Sequence, residues 1–373
     1  KPVIGEQGAG EGTWNTEHGA APQHEIISDD AGEFARDVIK PIVHLKGNDI
    51  PVSKMPLNGA VPLSTSRLEK RGVATKVPEW NPETCIQCGM CSFVCPHAAI
   101  RVKQIEPENL KDAPTQFKTL NSMTKNEREL AFKVQVYPED CISCELCVNA
   151  CPMKDKGALK MVPLEQAREK GENENVTFFE SLPENVMDGV KPDSIKGSQF
   201  RPTYFEFSGA CAGCGETPVV KLATQLFGDR MVIANATGCS SIYGGMFPTT
   251  PYCTDKEGKG PAWANSLFED NAEYGYGMRL AIDKNRETLK ETIEKLLETG
   301  TTEGLTAALK TMIDHWDETG DEAKEAAKEV HKHLPEALNH VYGESEPLLQ
   351  RIDELKDYLV DKSVWLVGGD GWA

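Results

Sequence analysis

The chain has 373 residues, long enough for two or three domains with real cores, and 39% of it is hydrophobic. No apolar run approaches the ~20 residues that span a bilayer, and the opening Lys1-Pro2-Val3-Ile4 lacks the apolar stretch of an export signal, so neither a membrane span nor secretion is expected. A net charge of −18 argues against nucleic acid as a partner, because phosphate contacts need a basic face.

Residues 1–75 are rich in Gly and Pro and show little periodicity. A short helix is expected from Asp29 to about Ile42, where Phe34, Val38 and Ile42 recur four apart. The rest, including Val61-Pro62-Leu63-Ser64-Thr65-Ser66, reads as extended chain. It would be the tail of a preceding domain and a linker lying along its neighbours.

Residues 76–165 carry eight of the twelve cysteines, in two copies of one pattern. The first copy is Cys85-x2-Cys88-x2-Cys91-x3-Cys95-Pro96 and the second is Cys141-x2-Cys144-x2-Cys147-x3-Cys151-Pro152. This is the two-cluster bacterial ferredoxin spacing, in which the fourth cysteine of each run serves the other cluster. Cys85, Cys88, Cys91 and Cys151 are thus expected to hold one [4Fe–4S] cluster, and Cys141, Cys144, Cys147 and Cys95 the other. Structural zinc on four thiolates is the alternative for CxxC pairs. Two intact quartets, each closed by Cys-Pro, favour iron–sulfur chemistry, and so many clustered thiols suit a reducing compartment, the cytoplasm. A proline-flanked extended stretch precedes each copy, Val77–Pro82 and Val134–Pro138, which predicts an internal repeat with pseudo-twofold symmetry. Between Cys95 and Cys141 lie 45 residues, and within them 101–133 carry seven Lys/Arg against five Asp/Glu. That insertion is either a solvated elaboration or a docking surface for an acidic electron carrier. His97 either tunes a cluster by hydrogen bonding or simply packs.

Residues 166–202 read as a surface connection. From 203 to 373, helices alternate with apolar strands, which indicates an α/β domain on a parallel sheet. Thr217-Pro218 is a helix start with a hydroxyl cap and proline at the first helical position, and Gly228 stops the helix. Met231–Ala234 is a buried strand. Four amphipathic helices follow, marked by Leu289/Ile293/Leu296, Leu305/Leu309/Met312/Trp316, Ala323/Ala327/Val330 and Leu348/Ile352/Leu355/Leu359. Val364–Val367 is the next strand, ending at Gly369-Asp370-Gly371. Cofactors in such sheets sit outside the carboxyl ends of the strands, where the loops of Cys239 and Asp370 fall. Cys211, Cys214 and Cys239 form an incomplete metal-ligand set, and Asp370 between glycines could offer a carboxylate to Mg2+ beside a diphosphate. Cys253 reads as a spare thiol, and His331, His333 and His340 as solvated surface. The missing initiator methionine and the stop at Trp365–Ala373, within an apolar strand and its turn, suggest an internal piece of a longer polypeptide.

Three segments carry a closer resemblance: Phe205–Pro218 with Cys211-Ala212-Gly213-Cys214-Gly215-Glu216, Ala236–Gly245 with Thr237-Gly238-Cys239-Ser240, and Gly260–Glu273. With Glu69–Ala74 and Cys85-Ile86-Gln87-Cys88, they closely resemble the pyruvate:ferredoxin (flavodoxin) oxidoreductase family over at least residues 45–285 and 362–373. The resemblance implies a truncated thiamine diphosphate-binding domain, and a third [4Fe–4S] cluster beside that cofactor. Cys211, Cys214 and Cys239 match three of its ligands, and the fourth would lie beyond Ala373. Glu216 and Cys239 match positions near thiamine, and Gly369, Asp370, Gly371 and Trp372 match the start of the diphosphate–Mg2+ motif. No catalytic residue is assigned to this piece, which is expected to be inactive alone. The whole enzyme would oxidatively decarboxylate pyruvate with coenzyme A to acetyl-CoA and CO2, pass electrons to ferredoxin or flavodoxin, and form a homo-oligomer. A relative acting on another 2-oxoacid, or a plain iron–sulfur electron-transfer subunit, are the alternatives. The fold class expected is α/β plus an α+β ferredoxin-like unit.

Overall fold

The computed structural model describes residues 26–124, 128–246, 248–340, 342–368 and 372. Within them the strands in chain order are β1 (Lys76–Trp80), β2 (Ile100–Ile105), β3 (Leu120–Asn121), β4 (Ala131–Val136), β5 (Leu159–Pro163), β6 (Met231–Asn235), β7 (Ala262–Asn265) and β8 (Ser363–Val367). The repeat expected from the cysteines is visible in the fold. After β1 come the turn Pro82–Thr84, a cysteine loop, the helical turn Met90–Phe93 and β2; after β4 come Pro138–Asp140, a cysteine loop, Leu146–Asn149 and β5. The halves then exchange strands. β1 pairs antiparallel with β5, and β2 pairs antiparallel with β4, so each ladder joins one repeat to the other.

Strands β2, β3 and β4 all lie between the two cysteine runs. β3 adds to the outer side of β4, and all six residues of β4 are buried. The residues expected to be a surface connection explain that burial. Residues 166–202 contain the helix Glu172–Ser181, which lays Phe179 into a core with Phe117, Tyr137 and Phe207. Its polar composition hid it: Glu172, Asn173, Glu174 and Asn175 open the helix, and its buried residues are Asn175 and Phe179, with Val176 and Phe178 half-buried beside them. The stretch before the cysteine repeats is hydrogen-bonded to distant segments of the chain. Ser64 N donates to Tyr252 O (2.8 Å), and Lys70 N to Ile26 O (2.9 Å).

Beyond residue 203, β6 lies between β7 and β8 in a parallel sheet of order β7-β6-β8. The helix Thr217–Phe227 forms where expected, with one difference. Glu216 occupies the cap position, and Thr217 is the first helical residue with a buried hydroxyl that bonds nothing. All four amphipathic helices are present, as Asn271–Thr299, Glu303–Asp314, Asp321–His340 and Glu346–Leu355. They are not interleaved with strands. They follow one another between β7 and β8 and share a core of Leu289, Ile293, Leu296, Leu305, Leu309, Met312, Val330, Leu349 and Ile352. The first reaches the sheet near its start, at Gly275, where a β-carbon would come within 2.7 Å of Leu366 Cδ1.

Candidate iron–sulfur cages and the adjoining sheet edge

The cysteine loops are shaped by the same backbone device twice. Gln87 and Gly89 in the first loop, and Ser143 and Glu145 in the second, have φ values of 56°, 77°, 59° and 62°. Left-handed residues at matching positions curl each loop so that its three thiols face inward. The same curl aims an amide at the first thiol: Gln87 N lies 3.4 Å from Cys85 Sγ, and Ser143 N lies 3.5 Å from Cys141 Sγ.

Two small cavities result. One is walled by Cys85, Cys88, Cys91 and Cys151, with Trp80, Phe132, Val134 and Leu159 behind them. The other is walled by Cys95, Cys141, Cys144 and Cys147, with Pro78, His97, Ile100 and Met161. Their empty volumes, about 370 and 360 Å³, are nearly equal. The structure therefore brings together the two quartets read from the spacing, each completed by the fourth cysteine of the other run.

The walls fit a cuboidal iron–sulfur group better than a lone ion. Zinc requires its ligands to converge at about 2.3 Å from one point. Among the described residues no three His, Cys, Asp or Glu side chains are placed to hold a single metal ion. Each wall instead contains one buried ring nitrogen without a hydrogen-bond partner, Trp80 Nε1 in the first cavity and His97 Nδ1 in the second. An indole N–H is donor only, and inorganic sulfide would be an acceptor for it. Burial pushes the Cys91 and Cys147 thiols far up, with neighbouring thiolates adding to it, and Cys141 up to about 12. These sulfurs stay protonated until iron displaces the proton, so loading releases acid.

Between the cages runs an unexpected residue. Lys221, on the helix Thr217–Phe227, is 1% exposed, and its ammonium donates to Ser92 O, Phe93 O (3.3 Å) and Cys95 O (3.1 Å). It caps the carbonyl end of the turn joining Cys91 to Cys95, one ligand of each quartet. The only sequence sign was a lysine on the apolar face of an amphipathic helix.

The second cage abuts the α/β region. His97 Nε2 is 2.9 Å from Ala210 O, and Phe207 N donates to His97 O at 2.9 Å. Beyond Ala210, the Cys211–Cys214 turn has Gly213 at φ 74°, where a β-carbon would stand 3.9 Å from Cys144 Cβ. Cys239 begins the helix Cys239–Gly244 just past β6. Tyr243 on that helix donates to Glu216 Oε2 at 3.0 Å, tying the Cys239 loop to the Cys211–Cys214 loop. Cys211 and Cys239 are exposed and Cys214 half-buried. Cys253, by contrast, is fully buried with Sγ donating to Thr203 O at 3.0 Å, which suits a spare thiol.

At the carboxyl edge of the sheet, Asn235 is fully buried and donates to Ala236 O (2.6 Å), Ser240 Oγ (3.1 Å) and Asn265 Oδ1 (3.3 Å). This network fixes the turn that presents Cys239, and no motif announced it. Trp372 Nε1 donates to Phe268 O at 3.0 Å, joining the end of β8 to the loop after β7. Gly369, Asp370 and Gly371 lie outside the described residues.

Comparison with known proteins agrees with this arrangement. Residues 84–155 match the family of 4Fe-4S dicluster domains, and residues 21–74 match a family described as a domain of unknown function. The chain is 50% identical over 341 residues to the pyruvate:ferredoxin oxidoreductase of Moorella thermoacetica, covering 91% of this chain and 29% of that protein. It is 43% identical over 369 residues to the pyruvate-flavodoxin oxidoreductase of a Nostoc species, covering 97% of this chain and 30% of that protein. With the probable pyruvate-flavodoxin oxidoreductase of Escherichia coli it shares 44% over 358 residues, 95% of this chain and 29% of that protein. The chain thus spans about three-tenths of the length of these curated relatives, and across nearly all of itself it is homologous to them. Among the described residues no helix is long and apolar enough to cross a membrane.

Proposed function

We propose that this chain forms the electron-transfer part, and the adjoining start of the thiamine diphosphate domain, of a cytoplasmic pyruvate:ferredoxin oxidoreductase. The observation that carries this reading is the serial placement of thiol sets. The Cys211–Cys214 turn lies at the sheet region and against Cys144, the Cys144 cage lies next, and the Cys85–Cys151 cage lies beyond it. A plain electron-transfer subunit would have no need of cysteines at the carboxyl edge of a parallel sheet.

In the overall reaction, pyruvate, coenzyme A and two oxidised one-electron carriers give acetyl-CoA, CO2, two reduced carriers and a proton. Thiamine diphosphate, when bound, would supply the electron sink for decarboxylation, and the cubanes would hold single electrons. The residues of this chain have separate tasks. Cys85, Cys88, Cys91 and Cys151 hold one cluster, and Cys95, Cys141, Cys144 and Cys147 a second. Cys211, Cys214 and Cys239 supply three ligands of a third. Glu216, Cys239 and Trp372 border the thiamine site, with Gly369, Asp370 and Gly371 receiving its diphosphate and Mg2+. Trp80 Nε1, buried without a partner in the wall of the first cage, would be a donor available to a cluster sulfide, and the apolar walls Phe132, Leu159 and Ile100 would exclude water, which keeps charge on the sulfurs costly and so helps set the potential.

The test is the full-length enzyme, purified without oxygen. It should release CO2 from pyruvate and reduce ferredoxin only when coenzyme A is present, and residues 26–368 should account for about eight iron and eight sulfide in complete cubanes. Zinc in place of iron, or no pyruvate-dependent reduction of any acceptor, overturns the reading.

A further inference from the structure

β1 separates the cages from solvent, and its outer side forms one wall of a cleft with about 1500 Å³ of open space. Five lysines line it (Lys118, Lys133, Lys156, Lys160 and Lys170) against two carboxylates, Glu79 and Glu172. That is a local excess of three positive charges on a chain whose net charge is −18. Lys160 and Lys170 are anchored to Glu79, the first at 3.1 Å. Lys118 and Lys156 are exposed, and their side chains make no ion pair or hydrogen bond among the described residues. Like charges gathered without partners are unfavourable in the free protein, and an anionic surface laid over them would relieve that cost.

The floor of the cleft gives the cluster of lysines its meaning. Trp80 and Val134 line the cleft on one side and the Cys85–Cys88–Cys91–Cys151 cage on the other. One layer of side chains therefore divides that cage from solvent. It is also the cage farther along the series from the Cys211–Cys214 turn, which touches the Cys144 cage.

Resting on the function proposed above, we propose that this cleft is the docking site for the acidic face of a one-electron carrier protein, received by Lys118, Lys156, Lys160 and Lys170 and seated over Trp80. Each encounter transfers one electron: the enzyme is oxidised, the carrier is reduced, and no bond or proton moves. Two encounters clear the pair of electrons from one pyruvate. Only part of the basic insertion takes part, since Lys156, Lys160 and Lys170 all lie C-terminal to the second cysteine run.

The test uses full-length enzyme with the substitutions Lys118→Glu and Lys156→Glu, which touch neither cage. With pyruvate and coenzyme A present, kcat/KM for an acidic [4Fe–4S] ferredoxin at low salt should fall about tenfold or more, mainly through KM, and its salt dependence should flatten. Calorimetric binding of oxidised ferredoxin should weaken in parallel. Reduction of methyl viologen, a small dye that needs no docking surface, and the KM for coenzyme A should not change. Unaltered ferredoxin kinetics and binding, with viologen reduction intact, overturn the docking site. A raised KM for coenzyme A with ferredoxin binding unaltered also overturns it and assigns the cleft to a small anion. Wild-type enzyme that reduces not even viologen with pyruvate refutes the function instead, and ferredoxin binding to dithionite-reduced enzyme then still decides on the cleft. Should the double glutamate variant lose iron, Lys118→Gln with Lys156→Gln must show a smaller loss of the same sign.

Discussion

Glu206 is 1% exposed and sits between two guanidinium groups, Arg67 at 2.7 Å and Arg101 on its other oxygen. Burial alone would raise its pKa, but the two arginines hold it below its ordinary value of 4.5. Such a depressed group contributes stability in full above the unfolded pKa and loses it as pH falls through the folded one. Glu206→Ala should destabilise the protein by about 2–4 kcal/mol near neutral pH, because the largely buried Arg101 loses its main counterion while Arg67, 40% exposed, can turn to water. Thermal unfolding should show that loss, and the difference from wild type should shrink toward pH 3. Lys221→Met withdraws the ammonium from the Ser92, Phe93 and Cys95 carbonyls, of which Ser92 O keeps the Cys95 amide at 3.2 Å, and should cost about 1–3 kcal/mol, read as faster iron loss under chelator. Cys151→Ser provides a test of the crossed ligand sets. Electron paramagnetic resonance should show the signal of the Cys85 cage altered and that of the Cys141 cage retained; the reverse would mean uncrossed cages. The quartets were legible because thiolate ligation tolerates few spacings. Lys221, Asn235 and Trp80 were not, since their roles depend on which buried atoms they meet.

At the scale of elements, β4 shows where pattern reading fails. A half-buried strand alternates, but β4 is covered on both faces and still carries Lys133 and Gln135, each at most 3% exposed. Lys133 Nζ lies 4.5 Å from the Phe117 ring centroid and 5.3 Å from that of Trp80. Burial pulls its pKa from 10.5 down to about 8. Between those values the unfolded chain binds more protons than the folded one, so stability rises with pH there. Lys133→Met should therefore stabilise the fold by about 1–2 kcal/mol at pH 7, the relieved burial being partly offset by lost cation–π attraction. Its advantage in melting temperature over wild type should narrow by pH 9.5. Helices of strong apolar period, such as Glu303–Asp314, were read correctly. The helix Glu172–Ser181 was not, because most of it faces water.

For the whole molecule, the parallel sheet and the ferredoxin-like unit followed from sequence, whereas the way they are joined did not. Besides the direct contacts of His97 and Lys221, the join includes the segment at residues 64–72. Ser66 Oγ donates to Glu206 O at 2.9 Å, Lys70 pairs with Asp140 at 2.6 Å, and Gly72 N donates to Glu139 O at 3.1 Å. None of these pairs is near in sequence, so no local pattern could reveal them. Replacing 64–72 in the full-length enzyme with a Gly/Ser stretch of equal length should leave both cages filled. It should slow reduction of the Cys85 and Cys141 clusters by pyruvate about tenfold or more, since misplacement of the Cys211 turn by even an ångström matters at this kind of junction. Stopped-flow absorbance reads that delay directly.

The crossing of the fourth cysteines also sets a calendar for synthesis. When the ribosome has released the first repeat through Cys95, neither cage has a full set of sulfurs, and neither gains one until the second cysteine run has emerged, close to Cys151. At the pace of translation, ~5–20 residues per second, the first thiols stand bare for several seconds. Both cages then close almost at once, on the arrival of the same short segment. A nascent chain interrupted before that point holds four unshielded thiols and no finished cage, so exposure to oxidants is greatest during making rather than in the finished protein.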